Sequence, residues 1–115
     1  MSKRIFIVYG HHNIKESFNQ SIRDTFIDEA KKIGHEIDLI NLHDEEQLHF
    51  FDGTPPNKQV LDYRNRLEKS DVMFMISPCY NLRASAILEN WIDLVLAPKW
   101  FFAFKKVVGN WGYPV

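Results

Sequence analysis

The sequence contains a single cysteine, Cys79, among its 115 residues. One thiol cannot form an intrachain disulfide, so a reducing compartment is expected. No apolar run approaches the ~20 residues that a helix needs to span a bilayer. The short apolar run after the N-terminal MSKR is also too short for a secretory signal. Together these absences predict a cytoplasmic protein.

The chain also lacks an excess of charge of either sign. Its formal net charge is −1, and basic and acidic residues are interspersed. A basic face for nucleic acid or an anionic membrane is therefore not expected. Apolar residues make up 45% and charged residues 25% of the chain, which is typical of a globular protein of one small domain. We predict a single domain over residues 1–115 with no nucleic-acid partner.

Several chemical signatures are missing as well. Neither G-x-G-x-x-G nor G-x-x-x-x-G-K-[ST] occurs, which excludes a dinucleotide fingerprint of that type and a P-loop. The segment Leu42–Pro56 is rich in His, Asp and Glu, but the spacing of these residues matches no established ligand pattern. We interpret it as a solvated loop rather than a metal site.

Apolar runs and helical periodicities alternate along the chain. The first and third strands are continuous apolar runs, which are typical of buried parallel strands. A helix N-capped by Ser17 follows the first strand, with apolar residues at helical spacing from Phe18 and Ile22 to Ile33. The first predicted strand is Arg4–Tyr9. The elements predicted after its helix are, in chain order, the strand Glu36–Asn41, the helix Asn57–Lys69, the strand Val72–Ser77 and the helix Ala84–Leu96. The pattern predicts an open, doubly wound α/β domain with a parallel sheet.

The first polar turn, Gly10–Asn19, leads from a strand to a helix N-terminus. Free N–H groups and the helix dipole make such a turn a ready site for phosphate. His11, Ser17 and Asn19 could add hydrogen bonds. On local sequence alone the plainer interpretations are favoured: Ser17 as an N-cap, Asn19 as a polar first-turn residue and Phe18 as a core residue.

The second polar turn, Pro78–Arg83, follows the third strand. Its backbone N–H groups would suit a planar heterocycle, and Tyr80 could pack against such a ring. Alternatively, Pro78 only ends the strand and Cys79 is an inert buried thiol. Because ligands of open α/β sheets bind beyond the carboxyl ends of the strands, we expect the two turns to lie side by side and form one site.

Short segments along the whole chain resemble one known family, the flavodoxin-like NAD(P)H:quinone oxidoreductases. This family includes the ancillary reductases of potassium-efflux systems and the modulator-of-drug-activity type. The matching segments are I-V-Y-G-H at Ile7–His11, S-F-N at Ser17–Asn19, G-H-E-I-D-L-I at Gly34–Ile40, Ser77-Pro78, A-I-L-x-x-W-I-D at Ala86–Asp93, Ala97-Pro98 and F-A-F at Phe102–Phe104.

The resemblance implies a flavin, FMN or FAD, and a hydride transfer from NAD(P)H through the flavin to a quinone. The matching positions assign one set of residues to the flavin phosphates: His11, Ser17, Phe18 and Asn19. They assign a second set to the isoalloxazine ring: Pro78, Cys79, Tyr80, Asn81 and Leu82. The match nominates no catalytic residue.

The resemblance further implies a homodimer. The apolar arc of Ala84–Leu96 is wider than one core contact needs, and with Trp100–Phe104 it would form the interface. Core packing is the plainer interpretation of these aromatic residues. A function of a different class also remains open, namely a non-enzymatic module that binds a partner such as a membrane transporter.

Three departures from the family pattern bear on these expectations. The turn Cys79–Leu82 lacks the usual Trp, and Ser85-Ala86 replaces the usual Pro-Ala at the start of the following helix. The chain also ends before the family's fourth and fifth strands. We therefore expect the strand order 2-1-3, with the third strand at an open edge, and interpret the chain as the N-terminal part of a longer family domain.

Overall fold

The computed structural model describes residues 2–11, 18–46, 48–79 and 81–96. Strands and helices alternate through these residues. The elements are β1 (Arg4–Tyr9), α1 (Phe18–Lys32), β2 (Glu36–Asn41), α2 (Lys58–Glu68), β3 (Val72–Ile76) and α3 (Ala86–Val95). Each of the six predicted elements is present. Within the described residues, no helix combines the length and the apolar character needed to cross a bilayer.

The three strands form a parallel sheet in the order β2-β1-β3. Ile7 in β1 is paired with Leu39 on one side and with Phe74 on the other. The predicted strand order is therefore confirmed, and β1 is the central strand. Its residues from Ile5 onward are buried, whereas most of β3 is half-buried because β3 lies at an edge of the described sheet.

Alternate residues of β1 face opposite sides of the sheet, as the two-residue period of a strand requires. Phe6 and Val8 join a core with residues of α2 and α3, among them Trp91. Ile5, Ile7 and Tyr9 join a second core with Ala30 of α1. The sheet is thus covered on both faces, which explains why β1 is apolar from Ile5 to Tyr9.

The apolar positions of α1 are less buried than their helical spacing predicts. Phe18 is 80% exposed, Ile33 is 72% exposed, and Ile22 is also exposed. Phe26, Ile27 and Ala30 make the contact with the sheet instead, and the Phe26 ring stacks on that of Phe74 at 4.5 Å. The interpretation of Phe18 as a core residue is wrong, because residues near the ends of the helix have less sheet beneath them.

The third helix begins two residues later than predicted. Ser85 is extended, with φ −60° and ψ 151°, and its backbone N–H donates to Ser77 Oγ at 2.9 Å. This bond holds Ser85 outside the helix, so α3 starts at Ala86. Four residues of α3 are buried in the chain's own core: Leu88, Trp91, Leu94 and Val95.

A hydrogen-bonded ion pair connects α2 with β2. Arg66 of α2 donates to both carboxylate oxygens of Asp38, at 2.5 and 3.1 Å, and Arg4 lies 3.6 Å away. Burial alone would raise the pKa of Asp38, but its hydrogen bonds and charge interactions with Arg66 and Arg4 hold the pKa below its usual value. This pair joins α2 to β2 at a distance from the two polar turns.

Candidate functional site

The first turn begins at Gly10, directly after β1. Its backbone N–H donates to the carbonyl oxygen of Ile76 at 2.9 Å, which continues the pairing of β1 with β3 by one residue. A Cβ atom placed on Gly10 would lie 2.8 Å from Cβ of Leu88 and 3.1 Å from Oγ of Ser85. Glycine is therefore required here because α3 approaches the backbone closely.

The second turn follows β3 and contains two residues with left-handed backbone. Asn81 has φ 52° and Leu82 has φ 61°. Asparagine tolerates this region, but leucine does so only at a cost of about 1–2 kcal/mol. The side chain of Leu82 is 97% exposed. Strain of this kind in a turn, combined with an exposed apolar side chain, is typical of a binding site.

Ser85 joins the two turns. Its buried hydroxyl donates to the carbonyl oxygen of Gly10 at 2.5 Å, and its backbone N–H donates to Ser77 Oγ at 2.9 Å. Ser77 Oγ in turn donates to the carbonyl oxygen of Pro78. Ser85, at the N-terminus of α3, thus connects Gly10 at the end of β1 with Ser77 at the end of β3, through its side chain and its backbone N–H respectively.

A cavity of about 260 Å³ lies on the side of β1 away from β3, at the carboxyl end of β2. Tyr9 and His11 contribute parallel rings with centroids 6.0 Å apart. The Arg23 guanidinium lies 4.6 Å above the Tyr9 ring and donates to Oδ1 of Asn41 at 2.9 Å. We call this cavity the β2-side cavity.

The residues predicted for the phosphate turn lie at the start of α1 and the end of β1. His11 is buried against Tyr9, Asn19 is half-buried in the first turn of α1, and Phe18 is exposed. Ser17, with its predicted N-cap role, lies outside the described residues. Asn19 thus lies in the first turn of α1 and His11 directly after β1, and their binding of an anion stays a prediction.

The residues predicted for the ring turn are more accessible. Pro78 is half-buried, whereas Cys79, Asn81 and Leu82 are exposed. The interpretation of Cys79 as a buried thiol is wrong, since the residue follows the end of β3 rather than lying beneath a helix. Tyr80 lies outside the described residues.

Sequence reasoning missed two residues of this region. Ser85 was placed within the predicted helix Ala84–Leu96, and the one signal for its role was that a serine stands where the family usually has a proline. Arg23 was not singled out, because its contacts with Tyr9 and Asn41 join residues from three separate elements. Only the packing of α1 on the sheet brings these three together.

The long loop after β2 is held in place by α3 rather than free in solvent. Asn90 accepts from the backbone N–H of Phe51 at 3.2 Å and donates to the carbonyl oxygen of His49 at 3.0 Å.

The same loop also contacts α2. Tyr63 donates to Glu45 at 3.0 Å, and burial together with this carboxylate raises the pKa of Tyr63 to about 12. In the described part of this loop and elsewhere in the described chain, no three His, Cys, Asp or Glu residues cluster as metal ligands would.

Comparisons with known proteins agree with this architecture. A family model described as a flavodoxin-like fold matches residues 3–113. No curated protein sequence matches the chain significantly. Among solved structures, the NAD(P)H:quinone oxidoreductase from Methanothermobacter marburgensis superposes with a TM-score of 0.70 at 21% identity, over 83% of this chain and 53% of that one.

Two further solved structures are similar. The flavoenzyme NAD(P)H:(acceptor) oxidoreductase FerB from Paracoccus denitrificans has a TM-score of 0.64 and 27% identity, covering 84% of this chain and 52% of its own. An azoreductase from Bacillus anthracis has a TM-score of 0.61 and 16% identity, covering 78% of this chain and 54% of its own. The present chain spans about half the length of each of these proteins.

Proposed function

This chain belongs to the family with the flavodoxin-like fold, and from that premise we propose that it is a flavin-dependent NAD(P)H oxidoreductase that reduces quinones or similar acceptors. The observation that carries the proposal is the pair of polar turns joined by Ser85 at the carboxyl edge of β1 and β3. Flavoenzymes and quinone oxidoreductases among the similar structures support the same class of activity.

The residues present fit a flavin. The N-terminus of α1, with Asn19 in its first turn and His11 beside it, offers hydrogen-bond donors for a phosphate. The turn after β3 offers main-chain groups and an exposed apolar side chain, Leu82, for a flat ring. A flavin needs both kinds of surface within one site, and Ser85 joins Gly10, where the first turn begins, to Ser77, just before the second turn.

A bound flavin would supply the hydride chemistry, and the protein's part is to bind and orient it. Asn19 and His11 would hold the phosphate end. Pro78, Cys79, Asn81 and Leu82 would lie against the ring, with Ser85 setting their position relative to Gly10. Ser17, Phe18 and Tyr80 complete the proposed set by the family resemblance.

The first test is a visible absorption spectrum of the purified chain after mixing with FMN or FAD and desalting. Retained flavin bands that bleach when NADPH is added under nitrogen would support the reductase. Asn19→Ala should weaken flavin retention, whereas Asn65→Ala, an exposed asparagine on α2, serves as the matched control. A chain that retains no flavin at micromolar concentration would contradict the proposal.

A non-enzymatic, partner-binding role is the second candidate. The exposed apolar side chains of Phe18, Phe50 and Leu82 favour it, since such groups often mark interaction surfaces. A chain that binds a transporter domain but no flavin would support this role over the reductase.

The predicted homodimer also remains a proposal. Most of the apolar arc of α3 is used in the chain's own core, which leaves Ile87 and Ile92 half-buried for an interface. Trp100–Phe104 lies outside the described residues. Sedimentation equilibrium of the chain and of an Ile92→Glu variant tests whether this face joins two copies.

A further inference from the structure

A second cavity lies between the loop after β2 and the beginning of α3, on the face of the sheet that α2 and α3 cover. Its volume is about 350 Å³, which is within the range of about 300–1,000 Å³ typical of small-molecule sites. Leu48 and Phe50 of the loop, Tyr63 of α2, and Ala86 and Asn90 of α3 contribute to its lining. None of its lining residues, all of which the structure describes, is assigned above to the flavin. We call this second site the loop-side cavity.

Hydrogen bonds from both helices fix the loop beside this cavity. Asn90 of α3 bonds to the loop backbone at His49 and Phe51. Gln59 of α2 donates to the carbonyl oxygen of Glu46 at 2.8 Å. The walls of the cavity are therefore preformed, so a ligand does not have to order the loop when it binds.

The polar side chains that line the cavity give it a negative charge. Glu45 and Glu46 are both lining residues, and Glu45 is held in place by the hydrogen bond from buried Tyr63 at 3.0 Å. The described lining residues include no lysine or arginine, and His43 is the one that can carry a positive charge. A phosphate or carboxylate would therefore meet like charge here, whereas an ammonium group would meet opposite charge.

The apolar part of the lining suits the body of an organic molecule. Leu42 and Leu48 line the cavity and also pack in the core. Phe50 lines it too, yet its side chain is 79% exposed. An aromatic ring attracts a cation, and a ligand packed against Phe50 would also remove apolar surface from water. The cavity thus combines carboxylates with apolar and aromatic walls.

We propose that the loop-side cavity binds a small organic cation, namely an amine with an apolar body. Its ammonium group pairs with Glu45 and Glu46, and its body packs against Leu48 and Phe50. FMN, FAD and NAD(P)H are anions, so the charge of the cavity disfavours them as its ligands. The proposal adds a site that is separate from the flavin function and does not depend on it.

The test is a titration of the ¹⁵N-labelled chain, followed by NMR, with three probes that share a phenylethyl group: phenethylamine, 2-phenylethanol and 3-phenylpropionate. Phenethylamine, a cation at pH 7, should bind with a dissociation constant of about 1 mM, which is typical of so small a ligand. The neutral alcohol and the anionic carboxylate should bind about fivefold more weakly or less. The amide signals that shift should be those of residues 48–51 and of Asn90.

Two pairs of variants separate charge from apolar contact. Glu46→Gln should weaken the binding of phenethylamine about threefold and leave that of the alcohol unchanged. Glu36→Gln neutralises an exposed glutamate on β2 and is the matched control. Phe50→Ala should weaken the binding of amine and alcohol alike, whereas Leu61→Ala, which removes an exposed apolar side chain from α2, should change neither.

Ile87 also lines the cavity and belongs to the face proposed above for a homodimer. Ile92→Glu is therefore titrated in parallel, and amine-selective binding at the expected residues by either chain supports the site. Equal affinity for the three probes, or shifts confined to other residues, would overturn the inference. Flavin retention is measured separately, so the flavin proposal stands or falls on its own result.

Discussion

Ser85→Ala removes the hydroxyl that connects the two turns of the candidate site. The hydroxyl donates to the carbonyl oxygen of Gly10 at 2.5 Å, and both residues are buried. Alanine preserves the backbone and nearly the volume, but it leaves a buried carbonyl without this donor. Loss of a buried hydrogen-bond partner costs about 1–3 kcal/mol, so we expect the free energy of unfolding to fall by that amount.

The same substitution should also weaken flavin binding. Without the bond to Gly10, the turn after β3 is less well fixed relative to the end of β1. Flavin binding must then also order this turn, which lowers the net free energy of binding. A cost of about 1.4 kcal/mol corresponds to a tenfold rise in the dissociation constant. Urea unfolding followed by tryptophan fluorescence measures the stability, and flavin fluorescence quenching measures the dissociation constant.

Ser70→Ala is the matched control. Ser70 is also buried, and its hydroxyl donates to the carbonyl oxygen of Arg66 at 3.0 Å, at the end of α2. This variant should lose stability with no change in flavin affinity, which separates positioning from stability. If Ser85→Ala keeps the flavin affinity of the unaltered chain and loses less than about 0.5 kcal/mol, the reasoning about this bond is refuted.

Three further predictions follow from the same structure. Gly10→Ala should destabilise the chain by about 1–3 kcal/mol, because its Cβ would lie 2.8 Å from Cβ of Leu88; urea unfolding at an unchanged midpoint would contradict this. Asp38→Asn should cost about 1–3 kcal/mol at pH 7, because it removes the negative charge and one of the two oxygens that accept hydrogen bonds from Arg66. The folded state lowers the pKa of Asp38, so the stability contributed by the ionised carboxylate is fully present above the unfolded pKa of about 4. It is lost as the pH falls through the lower folded pKa. The free energies of unfolding of the variant and the unaltered chain should therefore converge in acid. Leu82→Gly should stabilise the chain by about 1 kcal/mol by relieving the left-handed backbone, and a lower unfolding midpoint would show that no such strain is stored there.

The strands illustrate how far sequence reasoning reaches. Arg4–Tyr9 is apolar from its second residue. In a small α/β domain such a run is buried on both faces only in the middle of a parallel sheet. The spans Arg4–Tyr9 and Glu36–Asn41 were predicted with the bounds that the structure has. The strand order required the family resemblance as well, because periodicity does not say which strands are neighbours.

The candidate site was predictable only in outline. Two polar turns after parallel strands must meet at one edge of the sheet, and the structure brings Gly10 and Ser85 together there. The exposure of Phe18 and Cys79 was not predictable, because the apolar character of a residue does not reveal how much sheet lies beneath it. The flavin-binding roles predicted for the residues of the two turns are tested by the affinity measurements described above.

The sequence by itself determined the alternation of strands and helices, the central position of its most apolar strand and the places of the two polar turns. These follow from local patterns, which act over a few residues. The tertiary structure alone decided that Ser85 reaches Gly10, and that Arg23 lies over Tyr9 beside Asn41. Such contacts depend on how helices pack against the sheet, and the free energy of that packing is shared by residues far apart in the chain.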